Sequence, residues 1–321
     1  MKRLWRAVFG TAFAVSSLFG VSLAQAQAQF PEKPITVILP FGPGGGTDML
    51  TRTFDIFSTD VFGESFIVTY KPGAGGAVGT TALSSENNDG YTIGMGSLPH
   101  MFLQPAAGAG RYSLDDFDYI AMIASEPQLV VTPKGSPYTT YQELKAATQA
   151  DPGSLTMGVP SPLSETWLTY KMIDDIENLG FTVVIYQGGA EMNAALLGKQ
   201  VDAATTNIGP VYGEIDKLNV LGVTSPDRIS FLPDVPTFRE LGINITTSVD
   251  RVFMAPKGVP EDRLAVLREG FKDIWHNPEF QGRAKEMRMG LRWMDGEDVR
   301  SHLEDRKKAV LTIYEKSETG N

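Results

Sequence analysis

The amino-acid sequence predicts an α/β fold from two observations. Short apolar runs typical of strands alternate along the chain with segments whose apolar residues recur at helical spacing, and this order favours layered α/β architectures. In addition, two of the first strand-like runs are each followed by a glycine-rich loop and then by a helix-like segment. The strands and helices can therefore be assigned one after another along the chain.

Ten segments are predicted as strands because each is short, apolar and bounded by turn-forming residues. They comprise residues 35–39, 66–70, 91–95, 119–123, 129–132, 155–158, 181–186, 202–205, 220–223 and 249–255. The helix after the first loop is predicted from an apolar stripe that begins at Leu50 and continues through Phe54. A later helix is predicted to begin at Thr140, which forms a capping-box pattern with Glu143.

The C-terminal part of the chain has a different character. A helix start is predicted at Pro260, where Glu261 and Asp262 follow the proline. A second apolar stripe on a charged background includes Val299 and Leu303. We expect these helices to cover a face of the sheet rather than to carry chemistry.

Residues 1–28 have the pattern of a secretory signal peptide. A basic head precedes an apolar stretch at 7–23, and a small-x-small pattern predicts cleavage after Ala26 or Ala28. No later stretch of the sequence reaches the ~18 apolar residues that a membrane-spanning helix needs. The sequence therefore predicts an exported protein whose mature chain of about 290 residues suits two domains or one large one.

The composition excludes several classes of site. The sequence contains no cysteine, which rules out disulfides, thiolate metal ligands, cysteine nucleophiles and a lipid-anchored exported form. Its 3 histidines are far apart, so neither a transition-metal site nor any other cofactor is expected. Loss of the three basic residues in the signal leaves 25 Lys and Arg against 38 Asp and Glu, which takes the formal charge from −10 to −13. So acidic a chain does not favour nucleic acid, and any anion must be bound by local geometry.

Two glycine-rich loops carry the main functional signal. They are PFGPGGGTDML at residues 40–50 and KPGAGGAVG at residues 71–79. The first loop fits neither nucleotide-binding motif. Asp48 stands where a Walker A loop needs lysine, and Thr47 stands where a dinucleotide loop needs its third glycine. A helix N-terminus offers free backbone N–H groups and about half a positive charge, and glycine lets a ligand approach them closely. Two such helix starts favour a small carboxylate; the alternative is that both loops are only tight turns.

The two loops belong to a longer series of motifs that resembles the Bug-type receptors, the periplasmic substrate-binding proteins of tripartite tricarboxylate transporters. The series continues with DGYT at 89–92, YQGG at 186–189, ALLGKQVD at 195–202, LPDVPT at 232–237 and APKGVP at 255–260. It therefore covers nearly the whole predicted mature chain in order.

The resemblance implies a two-lobed α/β fold of the type II periplasmic-binding-protein class, which closes on its ligand like a flytrap. Two crossings near residues 124–130 and 247–253 would join lobe one, residues 29–126 and 252–321, to lobe two, residues 127–251. The C-terminal helices would pack on lobe one. These boundaries are expectations from the resemblance and from the predicted strands.

The function implied by the resemblance is that of a periplasmic solute receptor, not an enzyme. Such a receptor would act as a monomer and bind a small organic carboxylate, either a dicarboxylate or an aromatic carboxylate. It would deliver this ligand to the large and small membrane subunits of an ion-gradient-driven tripartite transporter. An alternative within the same class is an accessory protein that presents its ligand to a membrane sensor kinase.

The resemblance also implies which residues bind the ligand. Lobe one would contribute the two glycine loops and a turn, namely Phe41, Gly42, Gly45, Asp48, Ala74, Gly75, Ser97 and His100. Lobe two would contribute Ser161, Ser164, Gly188, Gly189 and Asn207. Many relatives have a hydroxyl-rich turn where this chain has SLPH at 97–100, so the far end of the pocket is expected to be individual. Gly45→Val is expected to abolish carboxylate binding while leaving the protein folded, because a β-branched side chain would occupy the space or disturb the φ that the loop needs.

Arg251 joins the predicted site because of its position at the return crossing. An arginine there could grip a second ligand carboxylate through both prongs of its guanidinium group, in a chain that is otherwise acidic. The alternative is a salt bridge within the hinge, to Asp250 or Asp48. The sequence leaves both interpretations open.

A periplasmic hydrolase is a less favoured alternative suggested by Ser97 and His100. The G-x-S-x-G elbow of such enzymes is not matched by GMGS at 94–97, and no orienting acid can be identified.

The remaining acidic and basic clusters have simpler explanations. Asp115, Asp116 and Asp118 alternate with aromatic residues, which favours a solvated strand edge over a calcium site. His276 and His302 stand alone in the charged C-terminal part and are expected at the surface.

Overall fold

The computed structural model describes residues 30–319 except Pro162 and Arg288, so the predicted signal peptide lies outside the described residues. Its strands are β1 (Ile35–Leu39), β2 (Phe66–Tyr70), β3 (Thr92–Leu98), β4 (Phe117–Pro133), β5 (Thr156–Val159), β6 (Thr182–Ile185), β7 (Ala203–Asn207), β8 (Leu218–Val223), β9 (Ser248–Pro256) and β10 (Leu291–Asp295). No helix within the described ranges is both long and apolar enough to cross a membrane.

Helices alternate with these strands along the chain. They are α1 (Gly46–Asp55), α2 (Ser58–Phe62), α3 (Ala77–Ser84), α4 (His100–Ala106), α5 (Tyr141–Ala150), α6 (Glu165–Glu177), α7 (Gly189–Leu197), α8 (Ile208–Val211), α9 (Glu261–His276), α10 (Pro278–Glu286) and α11 (Gly296–Thr319). The predicted capping box of α5 is present, because the Thr140 side chain accepts a hydrogen bond from the Glu143 N–H and the Glu143 carboxylate accepts one from the Thr140 N–H.

The strands form one sheet with two parts that share β4. The part in lobe one has the order β2-β1-β3-β9-β4, with β10 also paired to β4. The part in lobe two has the order β4-β7-β5-β6, with β8 also paired to β4. The β1–β2, β1–β3, β5–β6 and β5–β7 pairs are parallel, and the pairs made by β4 and β9 are antiparallel. β4 is therefore the element common to both lobes.

β4 is longer than the sequence predicted. The segments 119–123 and 129–132 were predicted as two strands because the polar residues Ser125, Glu126 and Gln128 interrupt the apolar pattern. Their backbone stays extended because β9 pairs with β4 as far as Pro127 and β7 pairs with it from Gln128. The other predicted strands each overlap an observed one. β10 was missed because its five residues, LRWMD, are at most half-buried and form no apolar run.

The C-terminal helices pack on lobe one, as predicted. Phe271 of α9 lies with its ring centroid 4.3 Å from Phe253 of β9 and 5.4 Å from Phe54 of α1. Phe280 of α10 reaches the same Phe54 ring at 4.5 Å. These rings pack α1, β9 and the C-terminal helices α9 and α10 into one core.

His302 and Asp118 both make specific polar contacts in the structure. His302 was wrongly expected at the surface: it is partly buried, and its Nε2 lies 2.8 Å from the Oδ2 atom of the fully buried Asp250. Asp118 contacts Lys257 and accepts the N–H groups of Gly258 and Val259. Within the described residues, no group of three or more acidic or histidine side chains could hold a metal ion.

Replacement of Phe271 by alanine tests the packing of α9 on lobe one. Phe271 is 0% exposed, so Phe271→Ala should lower the free energy of unfolding by about 3–5 kcal/mol through lost burial and a cavity. Val266, in the same helix, is 39% exposed, so Val266→Ala should change it by no more than about 0.5 kcal/mol. Urea unfolding of both variants measures the difference. Similar losses would show that α9 is not packed as described.

Candidate functional site

A cavity of about 270 Å³ lies between the two lobes. It brings together eleven of the fourteen residues predicted for the site: Phe41, Gly42, Gly45, Ser97, His100, Ser161, Ser164, Gly188, Gly189, Asn207 and Arg251. Residues that the sequence did not indicate also line it: Pro43, Gly46, Thr47, Pro160, Thr166, Gln187, Ala190, Glu191 and Val249. Several of these are direct neighbours of predicted residues in the same helix starts, and this adjacency was the signal that could have found them.

The structure does not bring Asp48, Ala74 and Gly75 to the cavity. The Asp48 carboxylate accepts hydrogen bonds from the Gly44 N–H at 2.8 Å and from the Tyr70 hydroxyl at 2.7 Å, so it holds the first glycine loop from behind. The second glycine loop supports the site indirectly. A Cβ atom at its Gly76 would lie 3.0 Å from the Phe41 ring, so this glycine allows the loop to pack closely on a lining residue.

Three of the longer helices begin at the cavity, and the shorter α4 also begins there with His100. The lining residues include the first-turn residues Gly46 and Thr47 of α1, Thr166 of α6, and Gly189 and Ala190 of α7. The N-caps of α1 and α7 are glycines, which cannot form a side-chain cap, whereas Ser164 caps α6 by accepting the Trp167 N–H at 3.1 Å. Each helix start contributes about half a positive charge and free N–H groups, so together they favour an anion.

Gly46 rather than Gly45 is the position that requires glycine. Gly45 has an ordinary φ of −85°, and its nearest neighbour to an added Cβ would be the Gly42 carbonyl oxygen at 3.9 Å. An added Cβ at Gly46 would lie 2.5 Å from Nη2 of Arg251. The ordinary φ of Gly45 contradicts the backbone reason for the expectation about this residue, whereas a loss of binding through a side chain in the cavity that Gly45 lines stays a prediction.

Arg251 pairs with Glu126, a residue that the sequence analysis missed. Its Nη2 donates to Glu126 Oε2 at 2.8 Å, and its Nη1 donates to Thr47 Oγ1 at 2.8 Å. The Arg251 and Glu126 side chains are 5% and 2% exposed. Neither Asp250 nor Asp48 is this partner, which corrects the hinge alternative. The available signal was the charge of Glu126 within the predicted crossing at residues 124–130.

His100 connects the two lobes as a neutral group. Its Nε2 lies 3.2 Å from Ser161 Oγ, and its ring makes an edge contact with Phe41 at 5.1 Å between centroids. Burial, and in addition the nearby Arg251 charge, together lower the pKa of His100 from 6.5 to about 3. His100 therefore offers hydrogen bonds rather than charge at neutral pH.

Ser97 and His100 do not form a catalytic pair. His100 Nε2 is directed to Ser161, and neither Ser97 Oγ nor His100 Nδ1 has a hydrogen-bond partner among the described residues. A base whose pKa is about 3 removes protons poorly at neutral pH, and no carboxylate orients this ring. These two buried polar atoms are instead suited to a bound ligand, because a buried polar group without a partner is costly.

The chain is similar to known proteins over most of its length. The model of the family described as tripartite tricarboxylate transporter family receptor, TctC, matches residues 52–318. A Cupriavidus necator protein named UPF0065 protein in gbd 5'region is 30% identical over 307 residues, 94% of each chain. Protein BugT of Bordetella pertussis is 28% identical over 257 residues, 77% of this chain and 78% of that protein.

Solved structures show the same fold. An R. palustris protein solved with adipate has a TM-score of 0.85 at 23% identity and covers 90% of this chain and 98% of its own. MatC from Rhodopseudomonas palustris, solved with bound malate, has a TM-score of 0.82 at 21% identity and covers 88% of this chain and 99% of its own. These similarities confirm the predicted periplasmic-binding-protein fold.

The contact between Gly46 and Arg251 predicts a difference between two adjacent glycines. Gly46→Ala should displace the guanidinium group from Thr47 or Glu126 and lower the free energy of unfolding by about 1–3 kcal/mol. Gly45→Ala should change it by no more than about 0.5 kcal/mol, because its side chain meets no close neighbour. Chemical denaturation compares them. Equal stability of the two variants would exclude a tight contact at Gly46.

The lowered pKa of His100 predicts a specific sensitivity to acid. Between pH 6.5 and about 3 the unfolded state binds a proton at this residue that the folded state does not, so stability decreases as the pH falls through that window. His100→Gln removes this contribution, so its stability should decrease less steeply from about pH 6.5 to 4 than that of the wild type. Unfolding free energies measured across this range give the two slopes. Parallel slopes would contradict a buried, neutral His100.

Proposed function

Because the chain belongs to the tripartite tricarboxylate transporter receptor family, we propose that it binds a small organic carboxylate between its lobes and delivers it to the membrane subunits of a transporter. Members of this family are periplasmic solute-binding proteins rather than enzymes. For this chain, the ligand class, the binding residues, the membrane partners and export by the predicted signal peptide are all part of what we propose.

The convergence of three helix N-termini on one cavity carries this proposal. The sequence is strongly acidic, so its overall field repels anions. The backbone N–H groups at the starts of α1 and α7 carry partial positive charges that offset this repulsion. These charges are fixed in place and do not depend on pH. A carboxylate is small enough to accept hydrogen bonds from more than one helix start at once.

The side chains around the helix starts suit one end of an organic acid. Ser97 Oγ and His100 Nδ1 are buried without a partner in the described part of the chain, and both residues line the cavity beside Phe41. We propose that they hydrogen-bond the ligand in lobe one and that Ser161, Gly188 and Gly189 of lobe two enclose it. Asp48, Ala74 and Gly75 would act by supporting the two loops.

The size of the cavity limits the ligand to a small molecule. A volume of about 270 Å³ lies near the lower end of the range for pockets that hold drug-sized ligands, roughly 300–1,000 Å³. Two similar structures contain adipate and malate, which are small organic acids. The sequence predicted a dicarboxylate or an aromatic carboxylate; both are small enough to be tested here, and the Phe41 ring offers an apolar surface to either.

A binding screen with acids and their amides tests the proposal. An acid that binds should raise the melting temperature, since a ligand at 100 times its Kd adds about 2.7 kcal/mol of stability. The matched amide lacks the charge and should have little effect. Thermal shift followed by calorimetry on the mature protein provides the measurement. Stabilisation by neutral solutes or amines, with none by any acid, would show that the proposed ligand class is wrong.

A further inference from the structure

The basic side chain that lines the cavity, Arg251, is already neutralised by the protein itself. Its two terminal nitrogens donate to Glu126 Oε2 and Thr47 Oγ1, each at 2.8 Å. Asn207 also donates to Glu126 Oε2, so this one oxygen receives two side chains that line the cavity. Glu126 therefore compensates the charge of Arg251 and takes up its Nη2 donor, while Nε is buried without a hydrogen-bond partner among the described residues.

This arrangement is fixed by elements from both lobes. Glu126 lies on β4, Arg251 on β9, Thr47 on α1 and Asn207 at the end of β7. The glycine at position 46 gives the guanidinium group its space at the start of α1. A guanidinium group at a helix N-terminus is electrostatically unfavourable, and the Glu126 carboxylate offsets that repulsion. The pair is thus built into the site rather than placed at its edge.

The charges around the cavity match a ligand with one negative charge. Three helix starts contribute roughly half a positive charge each, while Arg251 and Glu126 cancel. Glu191, an exposed residue that also lines the cavity, adds a further negative charge at neutral pH. A single carboxylate is therefore compensated, whereas a second one would enter a buried region without a free cationic partner.

We propose that Glu126 determines ligand specificity by pairing with Arg251, so that the cavity selects acids with one carboxylate and discriminates against dicarboxylates. This inference rests on the proposed function and specifies its ligand class. Of the two roles considered from the sequence, this is the salt bridge within the hinge, with Glu126 as the partner of Arg251. Arg251 is neither a grip for a second carboxylate nor a partner of Asp250 or Asp48.

The test compares acids that differ by one carboxylate and have the same carbon skeleton. The three pairs are butanoate with succinate, hexanoate with adipate, and 4-methylbenzoate with terephthalate. The wild type should bind the best monocarboxylate about tenfold or more tightly than its dicarboxylate partner, as measured by calorimetry at pH 7.5. Equal affinity, or preference for the dicarboxylate, overturns the inference without any variant.

Variants then identify the residue responsible. Glu126→Gln keeps the size of the side chain and its hydrogen bonds but frees the Arg251 charge, so the ratio of dicarboxylate to monocarboxylate affinity should rise about tenfold or more. The double variant Glu126→Gln/Arg251→Gln restores neutrality and should return the ratio to within about threefold of the wild type. Asp60→Asn removes an exposed carboxylate of α2 that does not line the cavity, and it should change the ratio by less than about threefold.

Each result has a separate meaning. An unchanged ratio in Glu126→Gln, or an equal rise in Asp60→Asn, overturns the role of Glu126 while leaving carboxylate binding intact. If Glu126→Gln does not fold, the wild-type preference decides alone, since a dicarboxylate that binds as tightly as its monocarboxylate partner overturns the inference. A wild type that binds none of the six acids contradicts the proposed function for these acids, and the inference falls with it.

Discussion

The antiparallel pairing of β4 with β9 is the constraint on which the rest of the structure depends. Nine residues of β4, within Phe117–Pro127, are in register with residues of β9 from Pro256 to Ser248, and β4 then continues into the sheet of lobe two. Because both strands run through the junction of the lobes, residues on them occupy fixed places between the two. Glu126 is in register with Val249 and Arg251 with Ala124, so Glu126 and Arg251 are diagonal neighbours on adjacent strands.

The groups that would attract an anion to the cavity of this acidic protein carry little net charge. Its helix starts supply partial charges, His100 is neutral because burial lowers its pKa to about 3, and Arg251 is paired. Glu165, next to the cap residue Ser164, is also buried, and this burial raises its pKa to about 8 against the opposing effect of Arg306. A neutral Glu165 avoids placing a negative charge at the start of α6. The local field therefore stays favourable to an anion within an acidic protein.

The C-terminal helix takes part in the junction as well as covering lobe one. Arg306 of α11 donates to the Ser248 carbonyl at 3.0 Å, and its guanidinium group lies 3.9 Å from the Glu165 carboxylate of lobe two. His302 of the same helix contacts Asp250, the residue next to Arg251. The helix α11 therefore makes polar contacts with β9 and lies close to Glu165 of lobe two. Sequence patterns showed this helix only as a charged surface with one apolar stripe.

The resemblance to a receptor family indicated most of the predicted residues that line the cavity. The sequence by itself determined the α/β class, the two glycine loops and nearly all strands. These features are local: apolar runs, glycine at helix starts and capping pairs act within a few residues of each other. The tertiary structure alone decided that β4 is continuous, that Gly46 rather than Gly45 is confined, and that Arg251 pairs with Glu126. Arg251 and Glu126 are 125 positions apart, so their contact depends on strand register, which is set by the whole sheet and leaves no mark in either local sequence.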